Sequence, residues 1–70
     1  MNFIEISAWV QINGGCGNVV VVFKMSRGEL VRGGKVLARN GCWSLLKGGV
    51  FANTSSRVEI LFEVNTMKVS

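Results

Sequence analysis

Side chains capable of acid, base or nucleophilic chemistry are few in this chain. The carboxylates are Glu5, Glu29, Glu59 and Glu63, and there is no Asp and no His. Glycoside hydrolysis needs two carboxylates on opposite sides of one bond, and the spacing of these residues sets up no such pair. A nucleophilic triad needs a base, which the absence of His removes. Cys16 and Cys42 belong to no CxxC or Cys/His spacing, so neither a metal nor a cofactor is expected, although the two thiols could pair in an oxidising compartment. Gly33-Gly34 and Gly48-Gly49 form no phosphate-loop motif. Enzymatic activity is therefore the function class these residues support least.

Charge leaves a partner open without demanding one. Lys and Arg number 8 against 4 acidic residues, a formal net charge of +4. The cations Lys24, Arg27, Arg32, Lys35, Arg39, Lys47, Arg57 and Lys68 are spread along the chain rather than clustered, which reads first as a solvated surface. At 70 residues and 49% apolar, the chain is expected to form one small domain with a marginal core, or a piece of a larger one. Its unbroken apolar runs, residues 19–23 and 36–38, fall far short of the ~20 residues that span a bilayer, so no transmembrane helix is expected. The first residues, Met1-Asn2-Phe3-Ile4-Glu5, lack the basic and apolar regions of a secretory signal.

The elements that would position these side chains are strands. In residues 4–12, Ile4, Ile6, Ala8, Val10 and Ile12 alternate with Glu5, Ser7, Trp9 and Gln11, the pattern of a strand with one buried and one solvated face. Residues 13–18 are rich in Asn and Gly, and a β-branched strand follows at residues 19–25, so these two segments are expected to pair as a hairpin. A turn at residues 26–29 leads to a short strand at residues 30–32, a Gly33-Gly34 break and another strand at residues 35–39. Asn40-Gly41 is a tight-turn signal, followed by residues 42–47, a second Gly-Gly pair and residues 50–52. Alternation returns at residues 57–64, with Val58, Ile60, Phe62 and Val64 on one face and Glu59, Leu61 and Glu63 on the other. Turns every eight to twelve residues and no helical period predict an all-β fold, an antiparallel sandwich or barrel in a single domain spanning residues 1–70.

The order of these segments resembles a known family. Ile6-Ser7-Ala8-Trp9-Val10-Gln11-Ile12, Val21-Val22-Phe23-Lys24, Gly41-Cys42-Trp43-Ser44-Leu45-Leu46-Lys47-Gly48-Gly49 and Glu59-Ile60-Leu61-Phe62-Glu63 are similar to the C-terminal half of the family 22 carbohydrate-binding module of plant family 10 endo-1,4-beta-xylanases. The most specific element is the nine-residue stretch from Gly41 to Gly49. The resemblance implies a β-jelly-roll of the galactose-binding-like kind in a partial or truncated version. It also implies non-catalytic binding of xylan or a related β-1,4-linked plant cell-wall polysaccharide, as an appendage of a separate xylanase domain, at an extracellular, cell-wall location. The family's last strand would be reduced here to Met67-Lys68-Val69.

Sugar recognition uses flat aromatic faces against pyranose C–H surfaces and polar groups against hydroxyls. By the resemblance Glu63 falls where the family has an acid that hydrogen-bonds sugar hydroxyls, while Leu61, on the same face, stands where it commonly has tyrosine. Trp9 and Gln11 share the polar side of the first strand and complete the expected ligand set, although a ring the size of Trp9 would ordinarily pack under a loop. Trp43 follows the Asn40-Gly41 turn at a strand entry, and the resemblance implies that it is a core residue. Asn53-Thr54-Ser55 is a glycosylation sequon, relevant only to a secreted product. One alternative is a basic barrel that binds single-stranded nucleic acid, stacking bases on Trp9, Phe23 or Phe51, though the chain has no RNP-like aromatic motif. Another is a module without a ligand, prone to self-association through exposed sheet edges.

Overall fold

The computed structural model describes residues 1–67 as five strands: β1 (Asn2–Val10), β2 (Cys16–Lys24), β3 (Leu30–Arg39), β4 (Ser44–Ala52) and β5 (Glu59–Met67). They form two antiparallel sheets, one of order β1-β4 and one of order β3-β2-β5, stacked as a β-sandwich. The all-β expectation is met. Of the expected last-strand remnant, Met67 closes β5, and Lys68 and Val69 lie outside the described residues.

β2 is the organising strand. Its run Val19-Val20-Val21-Val22-Phe23 is buried throughout, as befits a central strand with cover on both faces. Val19, Val21 and Phe23 point between the sheets and join Ala38 of β3 and Leu46 and Val50 of β4 in one core, flanked by Ile4, Ile6 and Val10 of β1. Losing the Phe23 ring, fully buried at 0% exposure, would cost on the order of 3–5 kcal/mol.

The chain path corrects the expected first hairpin. β1 and β2 do not pair; β1 lies beside β4, and β2 lies between β3 and β5. The only strands joined as a sequential hairpin among the described residues are β2 and β3, through a turn in which Gly28 N–H donates to the Met25 carbonyl at 2.8 Å. Outside that hairpin, β1 and β4 form the outer pair, so one long hairpin is folded over from one sheet to the other, the wrapping that defines a jelly roll. Both of its arms bend at one level. Asn40 N–H donates to the Gly15 carbonyl and Gly14 N–H donates to Asn40 Oδ1, each at 3.0 Å, while Ile12 bridges to Asn40. Gly14 and Gly41, with φ of 93° and 75°, supply the left-handed backbone these bends require. The Asn/Gly-rich segment thus makes a crossover between sheets rather than a tight turn within one.

The two Gly-Gly pairs are not breaks. Gly33-Gly34 lies inside β3 and Gly48-Gly49 inside β4, and both strands continue through them. These are the points where β3 and β4, in different sheets, come into backbone contact. A Cβ on Gly33 would sit 2.8 Å from the Gly49 carbonyl oxygen, and one on Gly48 would sit 2.7 Å from that of Gly33. Glycine is used here for close approach, and sequence pattern alone does not separate that use from a turn. Beside it the β2–β3 register shifts between Val21 and Val22, so that Gly33 is the extra residue of a bulge.

β5 is the least covered strand. Its alternation is as expected, but Ile60, Phe62 and Val64, on the side facing the other sheet, are 44%, 49% and 51% exposed, because the two-stranded sheet does not extend over them.

Candidate functional site

The outward face of the β3-β2-β5 sheet is laid out by register. Val20 of β2 stands between Lys35 and Glu63, Val22 between Arg32 and Leu61, and Asn18 between Leu37 and Asn65. Arg32 reaches across β2 to Glu63: its Nη2 donates to Oε2 at 2.9 Å and to Oε1 at 3.3 Å, and Asn65 Nδ2 donates to Oε1 at 3.4 Å. The ion pair spans from one edge of the sheet to the other, and its aliphatic stems explain why Val20 and Val22, though outward-facing, are buried. Beside it lies an open hollow of about 360 Å³ lined by Asn18, Val20, Arg32, Lys35, Glu63 and Asn65. The Glu63 side chain keeps 40% of its surface accessible, so its remaining lone pairs can accept from a hydroxyl. Leu61 shares this face, and no aromatic side chain among the described residues does.

Trp9 is elsewhere. Ile4, Ile6 and Val10 of β1 pack on the core, so Trp9 points out of the opposite side of a sandwich whose smallest extent is 12 Å. It is 65% exposed and is not packed under a loop. Gln11 lies past the end of β1, exposed, in a shallow hollow of about 300 Å³ with Ile12, Asn13, Asn40 and Gly41. Glu63, Trp9 and Gln11 are thus not brought together on one surface. Trp43 also departs from expectation: it is 63% exposed rather than in the core, and with Trp9 it lines an open hollow of about 580 Å³. The phase of β4 explains this. Leu46, Val50 and Ala52 are buried, so the odd-numbered side chains leading back to Trp43 face outward.

The remaining charged and reactive groups are dispersed. Glu59 and Glu63 share a face of β5 but stand four residues apart, roughly 13 Å at ~3.3 Å per residue, too far to flank one glycosidic bond. Glu5 is on the opposite exterior and Glu29 follows the β2–β3 turn. Cys16 and Cys42 are both free thiols. Among the described residues no group of three or more His, Cys, Asp or Glu could hold a metal ion, and no helix is long and apolar enough to cross a membrane. Most cations and the exposed aromatics are on different faces. Lys24, Arg32, Lys35 and Arg39 take outward positions on the three-stranded sheet, whereas Phe3, Trp9 and Phe51 face out from the two-stranded one, with Lys47 as the cation beside them. Single-stranded nucleic acid needs both on one face.

The molecule is thus a two-layer β-sandwich with one ordered carboxylate hollow and one aromatic exterior. Comparison with known proteins places it further. The chain is 44% identical over 63 residues to Endo-1,4-beta-xylanase 5, 46% to Endo-1,4-beta-xylanase 5-like and 44% to Endo-1,4-beta-xylanase 4, all of Arabidopsis thaliana. Each match covers 89% of this chain and 11% of the relative, so the chain corresponds to a short segment associated with plant xylanases. No protein-family model matches it. No solved structure matches it either.

Proposed function

We propose that this chain is a non-catalytic carbohydrate-binding appendage of the xylanase-associated kind, a family 22-like module segment whose ligand is xylan or a related β-1,4-linked polysaccharide. The observation that carries the reading is the similarity of nearly the whole chain to one short stretch of endo-1,4-beta-xylanases. In those proteins the larger remainder is free to hold the chemistry, and the wide dispersal of the carboxylates here fits a binding role. Glu63 is the leading hydroxyl acceptor, since Arg32 and Asn65 orient its carboxylate while leaving it accessible. Such a region would operate at the cell wall, where the polysaccharide is. A second copy is the other partner the fold suits, because β5 is an edge strand whose inward row is half exposed.

The test is a titration of xylohexaose, with cellohexaose beside it, into the folded chain and its Glu63→Ala variant. Saturable binding of xylohexaose, weakened about tenfold or more by loss of a charge-assisted hydrogen bond, is the expected result. An unchanged affinity in the variant would remove Glu63 from the site. No binding by the folded parent chain would remove the function. Self-association would show in the same experiment as concentration-dependent broadening of β5 amide signals before sugar is added.

A further inference from the structure

Of the six aromatic residues in the chain, four lie on the outward side of the β1–β4 sheet: Phe3, Trp9, Trp43 and Phe51. All are more than half exposed. Burial normally claims such rings, and an exterior that collects them is a recognition surface far more often than a chance of composition. Their arrangement is linear. Phe3 stands directly opposite Phe51 at one end, with ring centroids 4.8 Å apart, and the Phe3 ring lies over Gly49. Trp9 stands opposite Leu45 at the other end, and Trp43, just before β4, lines one hollow with it. Phe3 and Trp9 are six residues apart on one strand, about 20 Å at ~3.3 Å per residue. Between them the outward side chains are Glu5, Ser7 and Lys47.

We infer that this strip is a polysaccharide track, separate from the Glu63 hollow and on the opposite face of the sandwich, which takes a linear, neutral β-linked glycan lying along the strands. The chemistry selects that occupant over other extended polymers. Indole and phenyl faces stack on the C–H surfaces of pyranose rings. Glu5, Ser7 and Lys47 offer an acceptor, a hydroxyl and a donor to sugar hydroxyls in mid-strip. One carboxylate and one ammonium leave the strip without net charge, so a phosphate backbone gains nothing there. The inference rests on the carbohydrate reading above and adds to it a second glycan-binding face and the rings that hold the sugar there.

The experiment is a heteronuclear NMR titration of the full chain with xylohexaose, following the two indole N–H signals and the amides around Glu63. Saturable shifts of both indoles are expected, with the affinity reduced about tenfold in each of Trp9→Ala and Trp43→Ala. Both rings are mostly exposed, so these variants should keep the parent backbone spectrum. Shifts confined to the Glu63 side, with the indoles unmoved, would overturn the track and leave the carbohydrate reading standing. No shift at either face would overturn both. Indole signals that move with protein concentration before sugar is added would overturn the track in favour of a second copy covering this face.

Discussion

Glu63 has an ion-pair role and a proposed binding role, and mutation can separate the two. As an ion-pair partner it holds Arg32 across β2 and helps cover Val20 and Val22. As an acceptor it is the leading candidate for a sugar hydroxyl. Both partners are well exposed, so the pair itself contributes only about 0.2–1 kcal/mol. Arg32→Ala should therefore lower thermal stability slightly, and a double-mutant cycle with Glu63→Ala should give a coupling in that range; a coupling of several kcal/mol would show that the pair is a structural strut instead. The outward direction of Glu63 was legible in the alternation with Phe62. Its partner was not, because Arg32 is 31 residues away and meets it only through the β3-β2-β5 register. The core position expected for Trp43 is what the resemblance implies, and the local pattern contradicts it. The phase of β4 is set by Leu46 and Val50, and reading it backward across Ser44 points the ring to solvent.

At the scale of elements, strand content was legible and strand pairing was not. Period-2 alternation marks β1 and β5, and a β-branched run marks β2, because one or both faces of those strands are buried in a fixed phase. Pairing depends on which strands the crossovers place side by side, and nothing local distinguishes a crossover rich in Asn and Gly from a hairpin turn. The Gly-Gly pairs are the sharpest case. A Cβ at Gly34 would lie 2.9 Å from the Gly48 Cα as well as against the Lys47 carbonyl oxygen. Since this obstruction is backbone on both sides, Gly34→Ala should destabilise the fold by about 1–3 kcal/mol or more, read as a lower denaturant midpoint at unchanged slope. An unaffected midpoint would mean that the two strands can separate there at little cost.

For the whole molecule, the proposed function rests on how side chains are distributed over its two exteriors. One face carries Lys24, Lys35, Arg39 and the Arg32–Glu63 pair; the other carries four aromatic rings with one carboxylate and one ammonium, Glu5 and Lys47, and so no net charge. That division suits an uncharged polymer better than a polyanion, and similarity to a segment of xylanases points the same way. The composition permitted this reading without requiring it, since a net charge of +4 says nothing about which face the cations occupy. The most direct test is retention of the folded chain on insoluble xylan at low and at high ionic strength, with the unbound protein measured in solution. Neutral polysaccharide binding requires retention that is nearly the same at both, because no counterions are released. Full recovery of folded protein in the unbound fraction, or retention that disappears as salt is raised, would contradict it.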